Sequence, residues 1–142
     1  MNAGLSYREA AVAGASPVHL VVLLYQQVIG DLRAALQALG RGDIEGRTKE
    51  INHALQVIGH LQATLDRERG GKVAENLARF YAQVTQGLME AQYKQSASAL
   101  EEQIANLMLV YEAWCGVESS LTDHPQPQDG TPVQREPGDW SA

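Results

Sequence analysis

Residues 96–118 read SASALEEQIANLMLVYEAWCGVE, and Ala97, Leu100, Ile104, Leu107, Tyr111 and Trp114 recur in them at three- and four-residue spacing. Side chains so spaced are neighbours on a helix, so all six share one face. Working back toward the N-terminus, the same pattern appears three more times. Ser16 is a favoured N-cap and Pro17 suits the first helical position, where its missing N–H costs nothing. The first helix then carries Val18, Val21, Tyr25, Val28, Leu32, Ala35 and Leu39 inward and stops at Gly40 and Gly42. Asp43 caps a second helix with Ile51, Ala54, Leu55, Ile58, Leu61 and Leu65 inward, which is expected to end near Gly70 and Gly71. A third runs from about Lys72 to Gln95 with Val73, Leu77, Tyr81, Val84, Leu88 and Ala91 inward. Ser96 or Ser98 caps the fourth, and Ser98 with Glu101 has the spacing of a capping box. Four apolar stripes joined by short polar turns predict an all-α, antiparallel four-helix bundle.

The flanks differ in composition. Residues 1–14 hold two glycines and few apolar groups, and are expected to form a flexible N-terminal arm. The bundle is assigned to 15–118. From 119 to 142 periodicity is lost, and Pro125, Pro127, Pro132 and Pro137 stand among polar residues. Such a segment buries too little apolar area to offset its ordering entropy, so a disordered tail is expected. Trp140 within it reads either as a docking point or as an exposed aromatic near a terminus.

With 142 residues and 44% hydrophobic composition, one domain with a single core is the expectation. The formal charge is −6 and the basic residues are scattered, which argues against a nucleic-acid partner. Cys115 is the sole cysteine, so no intrachain disulfide can form. The stretch Val18 to Ile29 is interrupted by His19, Gln26 and Gln27 and falls short of the roughly 20 residues that a bilayer span needs. The opening MNAGLSYREA lacks a basic start and apolar run, so neither membrane insertion nor secretion is expected and a cytoplasmic location is.

No reaction chemistry gathers. Bundle di-iron sites take two Glu-x-x-His motifs, and Glu50 to His53 is the single copy. His53 and His60 show no obvious carboxylate partner on a facing stripe. Arg69-Gly70-Gly71-Lys72 lacks the earlier glycine and the following Ser or Thr of a phosphate loop. Cys115 has no base and orienting group beside it in sequence. The expectation is therefore a non-enzyme without metal or cofactor.

Apolar residues remain once each helix has its core stripe. Val22, Ile29 and Leu36 recur every seven residues in the first helix, with Leu20, Leu23 and Leu24 widening the face. Met108, Leu109 and Val110 do the same in the fourth. Either a wide core absorbs them, or they form an open groove of the kind that accepts an amphipathic partner helix. Leu5 and Tyr7, the large apolar groups of the arm, could cap such a groove, and burying one is worth roughly 1.5–3 kcal/mol.

In order along the chain, Tyr7, Ala15-Ser16-Pro17, Leu20-Val21, Leu23-Leu24-Tyr25, Gly42-Asp43, Leu65-Asp66-Arg67-Glu68, Asn76-Leu77, Tyr81, Leu88-x-x-Ala91 and Glu112-Ala113-Trp114 resemble the flagellar secretion chaperone FliS family. The resemblance spans about 7–118. It implies a cytoplasmic helical bundle that binds the C-terminal region of flagellin, keeps it from polymerising prematurely and helps deliver it to the flagellar type III export gate. It makes Tyr7 a cap residue and Ala15 to Tyr25 a contact region. With the surplus apolar residues, the expected partner-binding set is Leu5, Tyr7, Leu20, Val22, Leu23, Leu24, Tyr25, Ile29, Met108 and Leu109. A monomer is expected, and the rival reading is a self-associating bundle whose surplus stripe forms a homodimer.

Overall fold

The computed structural model describes residues 16–123, and they form four helices: α1 (Pro17–Gly40), α2 (Ile44–Ala63), α3 (Arg67–Lys94) and α4 (Ala97–Asp123). The arm residues Leu5 and Tyr7 and the tail residue Trp140 lie outside the described residues. Each helix starts on a side chain that accepts from a free backbone N–H of the first turn. Ser16 Oγ accepts from His19 N at 3.1 Å, and Asp43 from Gly46 N at 2.9 Å. Asp66 accepts from Arg69 N at 3.1 Å, and Ser96 Oγ from Ala99 N at 3.0 Å. Of the two serines open to the fourth helix, Ser96 is therefore the cap.

Two boundaries differ from the sequence expectation. The second helix ends at Ala63, not near Gly70, because Asp66 caps a new helix that begins at Arg67. The glycine pair thus lies inside α3, where Gly71 breaks the helix with φ 52 and ψ −124. That conformation is open to glycine and strained for other residues. Val73, expected inward, is 65% exposed, and Ala74 beside it is buried instead. At the other end, α4 continues through Asp123, past the expected end at 118.

The chain runs up and down. His19 Nδ1 lies 2.5 Å from Glu118 Oε2, and Gln26 Nε2 donates to Tyr111 Oη at 3.0 Å, so α1 and α4 run antiparallel. Arg47 Nε donates to Gln92 Oε1 at 2.9 Å, which sets α2 against α3 in the same way. Helix α1 packs on α2 and α4, and α3 packs on the same two, leaving α1 and α3 on a diagonal. The core holds Tyr25, Val28, Leu32 and Ala35 of α1, and Ile51, Ala54, Ile58 and Leu61 of α2. Tyr81, Val84, Leu88 and Ala91 of α3 and Leu100 and Leu107 of α4 complete it. The α3–α4 seam closes most tightly at Gly87, where the amide of Gln103 fills the space a Cβ would need.

One polar contact crosses the diagonal. Tyr25 Oη donates to Tyr81 Oη at 2.8 Å, with the rings 6.2 Å apart and both side chains fully buried. Burial holds the acidity of both phenols well below normal, so both stay protonated. A buried hydroxyl that loses its partner costs about 1–3 kcal/mol, whereas removing both can be nearly neutral. Tyr25→Phe and Tyr81→Phe should therefore each destabilise the fold in urea unfolding. The double variant should lose clearly less than the two single losses added together. Additive losses would show that the hydroxyls act independently.

Candidate partner-binding surface

The structure divides the residues expected to bind a partner into three groups. Val22, Leu24, Tyr25 and Ile29 are buried, none more than 5% exposed. Leu20, Leu23 and Met108 are half-buried. Leu109 is 70% exposed on the face of α4 that points away from the core. Most of the surplus of α1 is thus absorbed by a wide core. The reason is closeness of packing: α1 packs on α2 and α4 far more extensively than α3 packs on the same two, so a wider part of its circumference is covered.

The open apolar surface lies instead on α3, which the sequence analysis did not single out. Ala82, Thr85, Gln86, Met89 and Tyr93 line a cleft of about 820 Å³ that Gln62 of α2 borders. The spacing 82, 85, 89, 93 is helical, so these residues form one stripe on the flank of α3 beside α2. Met89 is 59% and Tyr93 86% exposed. A flexible thioether and an amphipathic ring suit a surface that must accept a partner's apolar side chains. The signal was present in the sequence, but Met89 and Tyr93 sit beside the core stripe of Leu88 and Ala91 and read as ordinary surface residues.

Polar groups frame this cleft. At its outer edge Lys94 Nζ donates to Glu90 Oε2 at 2.8 Å, and this contact lowers the Glu90 pKa and raises that of Lys94. Both groups are exposed, so the pair adds little to stability. At the same end of α3, Arg47 is buried and reaches Gln92, whose Nε2 donates to Thr48 Oγ1 at 2.7 Å. This chain of hydrogen bonds ties the start of α2 to the end of α3 and fixes the register of the two walls.

A second, polar cleft of about 450 Å³ opens between α1 and α2, lined by Gln27, Asp31, Lys49, Glu50, Asn52, His53 and Gln56. It corrects the expectation that His53 lacks a carboxylate partner. Asp31 Oδ2 lies 2.6 Å from His53 Nδ1, and its Oδ1 accepts from Gln27 Nε2 at 2.8 Å. The sequence hid this because Asp31 sits among the apolar residues of α1 and points at α2. Among the described residues no three His, Cys, Asp or Glu side chains stand where they could share a metal ion.

Desolvation raises the Asp31 pKa, and the hydrogen bonds from His53 and Gln27 only partly offset it. A carboxyl with a raised folded-state pKa contributes stability below its unfolded pKa, and that contribution is lost as pH rises through the folded value. Urea unfolding followed from about pH 3.5 upward through the Asp31 titration should therefore show this component falling away. In Asp31→Asn the same component should be absent. An unchanged pH profile in that variant would remove Asp31 as its source.

Comparison with known proteins places the chain in a family. A family model described as flagellar protein FliS matches residues 1–120. The flagellar secretion chaperone FliS of Salmonella typhimurium is 34% identical over 107 residues, covering 75% of this chain and 79% of that protein. The flagellar secretion chaperone FliSB of Pseudomonas aeruginosa is 38% identical over 109 residues, covering 77% and 86%. The corresponding chaperone of Bacillus subtilis is 25% identical over 113 residues, covering 80% and 84%. A family match over residues 1–120 together with these identities leads to one conclusion: this chain belongs to the FliS family of flagellar secretion chaperones.

Proposed function

We propose that this chain is a cytoplasmic export chaperone that holds the C-terminal region of flagellin along its apolar surface. By covering the faces through which flagellin assembles, it prevents premature polymerisation and assists delivery to components of the flagellar type III export apparatus. The observation that carries the reading is the exposed stripe Ala82, Thr85, Met89 and Tyr93 beside the cleft between α2 and α3. An amphipathic helix laid along that cleft would bury its apolar face there. Leu20, Leu23, Met108 and Leu109 supply further contacts in this proposal. Val22, Leu24, Tyr25 and Ile29 support the surface from within, and Leu5 and Tyr7 act as a displaceable cap.

The role needs no bond-making chemistry. A chaperone that must later let go of its client benefits from a client that folds on binding, because the ordering entropy keeps a large interface reversible. No helix among the described residues is long and apolar enough to cross a membrane. The proposed working form is a monomer, with the cleft free for flagellin.

Titration of the full chain with a peptide of the flagellin C-terminal region should give one-to-one binding. Met89→Glu with Tyr93→Glu should weaken it at least tenfold, since losing one well-buried apolar contact of about 1.5 kcal/mol already has that effect. Both residues are exposed, so thermal stability should stay close to that of the parent chain. Peptide binding with unchanged affinity would move the site off this cleft. A tight dimer indifferent to the peptide would overturn the chaperone reading itself.

A further inference from the structure

Gly59 lies inside α2, and nothing within the fold requires a glycine there. Its backbone is ordinary α-helix, and a β-carbon at this position would meet no other part of the chain within 4 Å. Glycine weakens a helix interior relative to alanine, because it loses more backbone entropy on folding. A residue that costs stability and answers no contact within the chain points to a need for space from outside, where another molecule approaches the backbone closely. Gly30 of α1 and Gly116 of α4 are also exposed helical glycines with open space around them, so the surroundings must decide between the three.

They single out Gly59. Thr48, eleven residues before it, accepts from Gln92 of α3. Eleven residues make about three turns plus 20°, so Gly59 lies on the same flank of α2, the one that faces α3. The two helices run antiparallel with equal rise, which sets Gly59 about level with Ala82, ten residues before Gln92. Gln62, one turn after Gly59, and Ala82 both line the α2–α3 cleft, and Ala78 is half-buried one turn before Ala82. The walls at this end of the cleft are therefore a glycine and two alanines. Charge is missing as well: from Ile51 to Ala63 the sequence has no Asp, Glu, Lys or Arg, and His53 and His60 are its titratable groups. Cores of protein interfaces are depleted in charge in the same way. Gly30 and Gly116 belong to α1 and α4, which contribute nothing to the lining of this cleft.

We propose that Gly59 is a specificity-determining position of this cleft, where a large apolar side chain of the bound client helix seats on bare α2 backbone between Gly59 and Ala82. The inference rests on the reading of the α2–α3 cleft as the flagellin site, and adds the size of side chain admitted at one end of it. Met89 lies seven residues beyond Ala82, about 10 Å along α3, and takes the client's apolar residue two turns further on. Any β-carbon at position 59 intrudes on the seat.

Titration of the full chain with the flagellin C-terminal peptide, paired with thermal unfolding, tests this. Gly59→Ala should weaken binding severalfold and Gly59→Gln by at least about tenfold, as the larger side chain fills more of the seat. Both should raise the thermal midpoint by a few degrees, since alanine and glutamine are better helix formers. Affinity lost while stability is gained does not come from a damaged fold. Truncating the seated residue of the peptide to alanine should then cost much less affinity in Gly59→Ala than in the parent chain. Parent-like affinity in Gly59→Ala and Gly59→Gln, or losses that add at every peptide position, would overturn the inference. Met89→Glu with Tyr93→Glu separates it from the reading beneath: if that variant loses affinity and the Gly59 variants do not, the cleft stands and the seat falls. If none of them loses affinity, both fall together.

Discussion

The first helix constrains everything else. Its apolar side chains spread across more than half its circumference, from Leu24 on one flank to Val22 and Ile29 on the other, and all three are buried. A helix of that character is stable only with protein on several sides. It therefore takes the corner where α2 and α4 both pack against it. The remaining helices are narrower. Helix α4 contributes just Leu100 and Leu107 to the fully buried apolar set; Ile104, Tyr111 and Trp114 of its inward stripe are half-buried, and Ala97, expected inward, is exposed. The bundle is built around one helix with a wide buried face, which between its ends leaves only the stripe Gln26, Gly30, Arg33 and Gln37 to water, and three whose buried faces are narrower.

A core of leucines and valines alone would specify the register of these helices poorly. Polar groups supply what is missing, because a buried donor tolerates few acceptor positions. The Tyr25–Tyr81 hydrogen bond fixes the diagonal, Asp31 with His53 and Gln27 fixes α1 against α2, and Arg47 with Gln92 and Thr48 fixes α2 against α3. Gln103 against Gly87 fixes α3 against α4 by shape rather than by charge. Their work is alignment.

The apolar surface left outside is concentrated on α3 and α4. One flank of α3 offers Met89 and Tyr93 beside an open cleft, and Val73 near its start is exposed as well. A family whose relatives are flagellar secretion chaperones works through contact, and such flanks are where contact is available. The kink at Gly71 matters here as well. It joins the short turn capped by Asp66 to the long segment of α3 that carries Tyr81, Val84 and Leu88 into the core.

Periodicity and capping residues alone were enough for the four helices, their order and their antiparallel sense, because both signals are local: a stripe repeats within one helix, and Ser16, Asp43 and Ser96 bond within their own first turn. The family resemblance was also readable there, in residues spread from Tyr7 to Trp114. The sequence could not say whether the surplus of α1 faced inward or outward. That depends on how many neighbours the helix has, which is a property of the assembled bundle. It hid the Asp31–His53 pair for the same reason, since a carboxylate among apolar residues shows its partner only when another helix brings it near. The glycine pair was misplaced because a cap at Asp66 outcompeted the expected stop. The open flank of α3 emerged only in three dimensions, because exposure is what remains after every other helix has taken its share of the surface.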